Sequence, residues 1–365
     1  MKRILIGCIA LFCASLSQAD NGFSIDEFTI AANGETKTVQ IKMNNDVTFS
    51  GFQFDLELPE GVSITKNSQD KYNVVAMNRL KVYDDFEETW TPTHTVVCTL
   101  QPSGAYRVMV YSSTSANITG TSGTAVLRMQ LAASDQVATG TFTPSFTNIV
   151  MSQADETQYK PADCAYTCNV TLSTKVTTLG YASFCWPKAL DFTNSGLTAY
   201  IATTCNGNSL HLEQVTKVPA NTGLILKGTA GSENTYPLET TDEVTDDVSE
   251  NLLAGTPTET CTITSGDNIY VLSNLDNGSP GFYIADAGVI IPQYKAYLNY
   301  PASSRGLTFS FDDDTSDMVN VNEKNAEGEG IIYSLQGIRM KSSQAITKRG
   351  LYIKDGKKVV LNEAK

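Results

Sequence analysis

The fold of this chain is decided by one stretch near its beginning, SGFQFDLELPEGVSI, residues 50–64. Apolar residues alternate with polar ones up to a Pro-Glu-Gly turn, which is typical of a β-strand that places one face on a core. The same alternation recurs in other short runs between turn residues, and helix signals are nearly absent. This pattern predicts an all-β fold built as a sandwich or a barrel. The alternating apolar positions are Phe52, Phe54, Leu56 and Leu58, then Val39, Ile41 and Met43, Tyr106, Val108 and Val110, and Ala125, Leu127, Met129 and Leu131.

Changes of composition along the 365 residues predict several parts. A block of about 150 residues can bury roughly two thirds of its unfolded surface, so the first group of strands can fold alone. A polar stretch before the last strands cannot bury enough apolar surface to fold by itself. We therefore predict a signal peptide at 1–19, a β-sandwich at 20–174, a second β-domain at 175–311, a linker at 312–330 and a small β tail at 331–365.

The first 19 residues have the three parts of a secretion signal. Lys2 and Arg3 provide positive charge, an apolar segment follows, and Ser17-Gln18-Ala19 supplies the small residues that signal peptidase needs. We predict cleavage between Ala19 and Asp20. The mature protein is then extracytoplasmic, either secreted or on the outer cell surface.

Lipid attachment at Cys8 is the alternative interpretation of the same segment, because Leu5-Ile6-Gly7-Cys8 resembles an acylation site. Cleavage there would leave only four apolar residues after Arg3. A signal needs roughly 7–15 apolar residues, so cleavage after Ala19 is favoured.

The chain is acidic, with 26 Lys and Arg against 39 Asp and Glu and a formal net charge of −13. Loss of Lys2 and Arg3 with the signal makes the mature chain more negative still. Such a charge repels phosphate backbones, so nucleic acid is excluded as an expected partner. No apolar run after Ala19 is long enough to span a bilayer, and we expect no membrane insertion of the mature chain.

Three stretches in the predicted sandwich follow one another in a recognisable order: residues 50–64, HTVVCTLQPSGAYRVMVYSSTSANITGTSGTAVLRMQL at 94–131, and TGTFTPSFTNIVMS at 139–152. Together they resemble the cohesin-like domain of secreted Bacteroidales proteins, over residues 23–170. The resemblance implies a jelly-roll β-sandwich. Cohesins bind dockerins through one sheet face, but no dockerin-type calcium loop stands elsewhere in this sequence. The resemblance therefore implies a glycan or another surface protein as the partner.

The second block and the tail carry resemblances of their own. The sequences TLGYASFCWPKALDF at 178–192 and LTAYIATTCNGNSLHLEQVTKVPANTGLILKG at 197–228 are similar to a β-domain near the carboxyl end of Bacteroidales surface proteins, a domain of unassigned function. The motifs IYSLQGIRM at 332–340 and KRGLYIKDGKKVVL at 348–361 resemble the sorting domain of type IX secretion cargo. That resemblance implies contact with the secretion machinery. The alternative is a pair of hairpins that docks on the preceding domain.

Six cysteines remain once the signal is removed, and they allow about 15 complete pairings. Export favours disulfides over free thiols. Cys164 and Cys168 are close enough in sequence to bridge a loop, and Cys185 and Cys205 lie in neighbouring predicted strands. A zinc site is disfavoured because the chain has only two histidines, His94 and His211.

Catalytic motifs are missing from the sequence. There is no GxSxG elbow, HExxH helix or phosphate-binding loop, and the two histidines are far apart. Asp84-Asp85 and Glu87-Glu88 offer paired carboxylates for glycoside hydrolysis, but adjacent carboxylates on one loop more often face water. The acidic run at 239–250 is interpreted as a solvated loop rather than a calcium site. We expect no cofactor and no metal.

Two aromatic residues are the candidates for ligand binding. Sugar-binding faces present exposed rings, and Tyr83 and Trp90 stand close together in sequence, although a single Trp is more often part of a core. The sequence thus favours a non-enzymatic binding protein, secreted or at the cell surface, whose cohesin-like domain takes a glycan or protein ligand. The alternative is a glycan-degrading enzyme or an accessory subunit of one.

Overall fold

The computed structural model describes residues 21–32, 34–264, 268–274, 280–301 and 304–311, together with short strands between 319 and 361. The predicted cleavage site at Ala19 and Asp20 lies outside the described residues. Within them the secondary structure is β apart from one 3-10 turn, Asn78–Leu80, which confirms the all-β prediction. No helix among the described residues is long and apolar enough to cross a membrane.

The chain divides into two compact units. The first contains the residues up to Thr174 together with Pro187–Ser195 and Thr235–Glu243, and the second contains the rest. The strands of the first unit are β1 (Gly22–Ser24), β2 (Phe28–Ala31), β3 (Thr36–Asn44), β4 (Gly51–Leu56), β5 (Val62–Ile64), β6 (Val74–Ala76), β7 (Lys81–Asp84), β8 (Thr89–Pro92), β9 (Thr95–Leu100), β10 (Tyr106–Tyr111), β11 (Thr124–Ala133), β12 (Gly140–Phe142), β13 (Ser145–Ser152), β14 (Gln158–Tyr159), β15 (Cys164–Ala165), β16 (Cys168–Val176), β18 (Leu190–Asp191) and β23 (Asn234–Thr240).

Two antiparallel sheets form the sandwich of the first unit. Sheet A has the strand order β1-β3-β11-β5, with β6 also paired to β11. Sheet B has the order β14-β13-β4-β10-β9, with β15 also paired to β13. A third sheet runs β12-β16-β23-β18, and β2 joins β16 in parallel.

That third sheet explains why two short segments of the predicted second domain belong to the first unit. β23 lies between β16 and β18, so its backbone hydrogen bonds hold Thr235–Glu243 beside the sandwich strands. Thr139 and Thr240 reinforce the attachment, since the backbone N–H of each donates to the side-chain oxygen of the other at 2.8 Å.

Aromatic rings fill the space between sheets A and B. The ring of Phe23, from sheet A, lies 4.8 Å from those of Phe52 and Phe54 in sheet B, and Phe54 lies 5.1 Å from Phe146. Each such pair adds about 0.5–1.5 kcal/mol to what burial alone provides. The predicted inward positions of β4 therefore form the centre of the sandwich.

The predicted alternation fails at one place in β11. A bulge between Ala125 and Leu127 shifts the pairing with β3. Val126 and Leu127 are both fully buried, whereas Ala125 is only half-buried. A bulge inserts one extra residue into a strand, so two consecutive side chains turn toward the same core.

The outward face of β4 carries an ion pair between a buried aspartate and a partly exposed arginine. Asp55 is 4% exposed, and Arg107 stands directly opposite it on β10. The Arg107 guanidinium donates to both carboxylate oxygens, at 2.7 and 2.8 Å, and Asn148 Nδ2 donates to the second oxygen at 2.8 Å. The Arg107 hydrogen bonds outweigh the opposing effect of burial and hold the pKa of Asp55 below its ordinary value of 3.8.

The strands of the second unit surround a core of their own. Their main sheet has the order β17-β22-β19-β20-β30-β27-β26-β29-β24, and β25 pairs with β28. The bounds are β17 (Tyr181–Phe184), β19 (Thr198–Asn206), β20 (Ser209–Val215), β21 (Lys217–Val218), β22 (Leu224–Lys227), β24 (Leu253–Gly255), β25 (Cys261–Thr262), β26 (Ile269–Asn274), β27 (Pro280–Ile284), β28 (Ile290–Ile291), β29 (Ala296–Asn299) and β30 (Gly306–Phe311). The core contains Ala202, Leu210, Leu212, Ile225, Leu253, Tyr270, Phe282, Leu298 and Leu307.

The tail forms a small sheet, as the sequence predicts. Its order is β31-β35-β34-β32-β33. β31, which lies inside the stretch predicted as a linker, runs parallel to β35. The bounds are β31 (Val319–Asn320), β32 (Ile332–Ser334), β33 (Arg339–Met340), β34 (Gly350–Lys354) and β35 (Lys357–Leu361).

Replacing Arg107 tests the ion pair of the sandwich. Arg107→Ala leaves the buried Asp55 carboxylate with Asn148 alone, and we expect a loss of about 2–3 kcal/mol, below that of a fully buried pair because Arg107 is one third exposed. Urea unfolding of the full chain measures it. Arg128→Ala, which removes an exposed arginine of β11, is the control and should cost less than about 0.5 kcal/mol.

The same comparison has a pH dependence. Because the folded pKa of Asp55 is lowered, the pair stabilises the protein above the unfolded pKa, and this contribution disappears as the pH falls through the folded pKa. The difference between wild type and Arg107→Ala should therefore shrink in strong acid. Equal effects of the two substitutions at neutral pH would contradict the assignment.

Candidate functional site

Strands β7 and β8 form a separate two-stranded ribbon, which we call the aromatic hairpin, residues 81–92. Its strands pair with each other and, among the described residues, with no sheet of the sandwich. Tyr83 lies directly opposite Trp90 in this register, and Asp84 lies opposite Thr89 at the tip. The sequence-predicted ligand residues are thus cross-strand partners on one element.

The base of the aromatic hairpin is firmly attached to the sandwich. Leu80, just before it, is fully buried. Arg79 is 5% exposed and donates hydrogen bonds to the backbone oxygens of Met43 and Thr119, both at 2.8 Å. The Thr93 N–H donates to the Leu80 oxygen at 3.0 Å, which closes the two ends of the ribbon on each other.

His94, at the other end of the hairpin, is a structural residue. Its side chain is 5% exposed, and its Nδ1 lies 2.8 Å from the Thr93 hydroxyl. Burial lowers the pKa of His94, while nearby backbone groups partly offset that effect. A neutral, buried imidazole at this place fixes the chain and is not available to a ligand in solution.

The side chains of the aromatic hairpin face solvent. Tyr83 is 42% exposed, Trp90 is 45% exposed and Phe86, at the tip, is 96% exposed. The rings of Tyr83 and Trp90 lie 5.1 Å apart and are inclined by 49°. Trp186, by contrast, is 2% exposed and belongs to a core. The alternative that Trp90 is a core residue is therefore excluded.

Four carboxylates flank the exposed ring of Phe86: Asp84 and Asp85 before it, Glu87 and Glu88 after it. Asp84 Oδ1 accepts hydrogen bonds from the backbone N–H of Phe86 at 2.8 Å and of Glu87 at 3.1 Å. These bonds lower the pKa of Asp84 and shape the turn. Phe86 is not among the predicted ligand residues. The pattern Asp-Asp-Phe-Glu-Glu nevertheless indicates an exposed ring, because a turn with four charged residues cannot bury the ring at its centre.

The paired carboxylates do not form the arrangement that glycoside hydrolysis needs. That reaction uses two carboxyl groups on opposite sides of one sugar ring. The four acidic residues here belong to a single exposed turn at the end of a ribbon. Among the described residues, no group of acidic, histidine or cysteine side chains is arranged to hold a metal ion.

The disulfides suggested by the sequence are not formed in this fold: all six described cysteines are free thiols. Cys164 pairs with Phe146 in sheet B, whereas Cys168 belongs to the third sheet. β22 lies between β17, which precedes Cys185, and β19, which contains Cys205. Two strand spacings are about 9–10 Å, too far for a disulfide. Burial raises the pKa of Cys98 and of Cys185 to about 12, which disfavours the thiolate form of both.

Comparison with known proteins finds similarity in solved structures alone. No protein-family model and no curated protein matches the chain. A non-cellulosomal cohesin from the archaeon Archaeoglobus fulgidus is 13% identical, with 42% of this chain and 91% of that chain covered and a TM-score of 0.30. A type I cohesin–dockerin complex from Clostridium thermocellum is 9% identical, with 41% of this chain and 93% of that chain covered and a TM-score of 0.29. A type II cohesin dyad from Acetivibrio cellulolyticus is 10% identical, with 78% of this chain and 99% of that chain covered and a TM-score of 0.28. Because these TM-scores are low, the aromatic hairpin is interpreted from its own geometry.

Proposed function

We propose that this chain is a non-enzymatic binding protein that contacts a partner protein through the aromatic hairpin. The observation that carries the proposal is the 96% exposure of Phe86 at the centre of four carboxylates. An aromatic ring so exposed contributes nothing to the core of the sandwich. It is suited to enter an apolar pocket on another molecule.

The composition of the hairpin fits a protein interface. Phe, Tyr and Trp are enriched at the centres of interfaces, where a few buried anchors provide most of the binding energy. Phe86, Tyr83 and Trp90 lie on one ribbon whose base is fixed by Arg79 and Leu80. A fixed base lowers the entropy lost on binding, because the backbone that carries the anchors is already ordered.

The charge of the hairpin selects the partner. Residues 81–92 carry four carboxylates and one lysine, on a chain whose net charge is already −13. A partner surface with Lys and Arg around an apolar pocket complements this tip. Charges at the rim act mainly on the association rate and on its salt dependence.

A glycan is the second candidate ligand, supported by the exposed rings of Tyr83 and Trp90. Sugars stack on flat aromatic faces, but these two rings are inclined by 49° and do not form one plane. The most exposed ring, Phe86, is flanked in sequence by four acidic residues, and this combination fits a basic, apolar protein surface better than a sugar. The protein partner is therefore the function we propose.

We also propose export to the cell surface or beyond, supported by the sequence of residues 1–19 and by the motifs of the tail, with type IX secretion as the route. Mass spectrometry of the native protein should find Asp20 at the amino terminus. A lipid on Cys8, or a retained Met1, would contradict this.

Removal of the exposed rings tests the binding site. The immobilised full chain captures proteins from the extracellular fraction of the source cells, and one captured protein is then purified and titrated. We expect Phe86→Ala with Trp90→Ala to weaken its binding at least tenfold, about 1.4 kcal/mol, because both are hot-spot residue types. Circular dichroism and urea unfolding should show an intact fold.

Tyr111→Ala is the control for that titration, since Tyr111 is an aromatic residue of sheet B whose exposure, 50%, is close to the 45% of Trp90. It should leave the dissociation constant unchanged. Loss of binding in Tyr111→Ala alone would move the site to the sheet face. A glycan array that reports a sugar whose binding is lost with Trp90→Ala would replace the protein partner by a glycan.

A further inference from the structure

A cleft of about 310 Å³ lies in the second unit. This volume is at the lower end of the range of small-molecule sites. Its buried floor includes Ala182, Ile291 and Ala296, each at most 5% exposed. The walls are also apolar and come from separate segments of the chain, with Val271 and Leu272 on β26 and Val289 and Ile290 at β28.

The charged residues that line the cleft are both positive. Lys175 and Lys295 line it, together with the hydroxyl residues Thr177 and Ser183, and none of the described residues that line it is acidic. In a chain with 39 acidic against 26 basic residues, a cleft whose described lining has two lysines and no carboxylate departs from the average surface. The site is therefore complementary to an anion.

Lys295 is the more informative of the two lysines. Its side chain is half-buried, and among the described residues its ammonium group has neither a salt bridge nor a hydrogen-bond partner. Burial lowers the pKa of Lys295 below its ordinary value of 10.5, with no neighbouring carboxylate to offset the effect. An unpaired ammonium group removed from water destabilises the fold unless an anion accompanies it.

The rim of the cleft exposes apolar side chains that gain by being covered. Ile290 is 59% exposed and Val289 is 40% exposed, although both belong to or adjoin the β25–β28 pair whose Ile291 is 3% exposed. A ligand that covers them removes apolar surface from water, worth roughly 25 cal/mol per Å². The ligand thus needs an apolar body as well as a negative charge.

We infer that this cleft binds a small amphiphilic carboxylate, with its carboxylate at Lys295 and its apolar body against Val271, Val289 and Ile290. Size and charge carry the assignment: a cleft of about 310 Å³ suits a small ligand, and among the described residues neither lysine has an anionic partner. The inference does not depend on the aromatic hairpin, which belongs to the first unit.

Isothermal titration of the full chain with sodium octanoate tests the site. Octanol and octylammonium have the same apolar body without the negative charge, and we expect each to bind at least tenfold more weakly than octanoate. Lys295→Met should weaken octanoate binding at least tenfold. Arg305→Met, which removes an exposed cation elsewhere in the second unit, is the control and should leave the affinity unchanged.

Two further measurements make the test independent of folding defects. Lys295→Met should unfold at the same urea concentration as wild type or a higher one, because it replaces an unpaired, desolvated charge by an apolar group. Ile290→Glu places a carboxylate on an exposed rim position, so it should weaken octanoate binding and leave octylammonium binding unchanged or tighter.

The inference is overturned if octanoate gives no saturable heat at millimolar concentration, if octanol binds as tightly as octanoate, or if Lys295→Met binds octanoate as wild type does. The carboxyl terminus of an apolar peptide is the other source of a carboxylate next to an apolar body. Acetyl-Leu-Val-Leu with a free carboxylate covers that case, and tighter binding of this peptide than of octanoate would overturn the small-molecule assignment.

Discussion

The contact between Phe23 and the rings of Phe52 and Phe54 is the interaction on which the first unit depends. It joins a strand of sheet A to the central strand of sheet B. β4 can supply those rings because its alternation sends every second residue inward. The same alternation sends Asp55 outward, where Arg107 pairs with it and fixes the register of β4 against β10.

The function we propose follows from that rigid frame. Arg79 donates to the backbone of β3 and Leu80 is buried, so the sandwich holds the start of the aromatic hairpin while the ribbon itself faces solvent. Stability therefore depends on one set of aromatic residues, and binding on another. Phe86 can remain 96% exposed because no core contact requires it.

Much of this organisation could be predicted from the sequence, because alternation is a local signal. The strands around Phe54 and Val108 were predicted, as was the exposed character of the acidic turn. The bulge at Val126 was not, since a bulge depends on pairing with another strand. For the same reason the position of Thr235–Glu243 beside β16 was missed: strand pairing over such a separation has no local pattern.

For the candidate sites, too, local patterns could be predicted and contacts between distant segments could not. Tyr83 and Trp90 could be predicted as candidates because sugar-binding faces present exposed aromatic rings, whereas Phe86 is not among the predicted ligand residues. The cleft at Lys295 could not be predicted, since residues far apart in sequence, such as Ala182 and Ala296, line it together. Only folding brings them together.

Excision of the ribbon tests most directly the claim that the sandwich is the scaffold and the aromatic hairpin the binding element. In the full chain, Val82–Thr91 is replaced by Asn-Gly, a two-residue turn that connects paired strand ends. We expect urea unfolding to change by less than about 1 kcal/mol, because the core contacts remain, and binding of the captured partner protein to disappear. An unfolded chain, or a folded chain that binds its partner as before, would contradict the account.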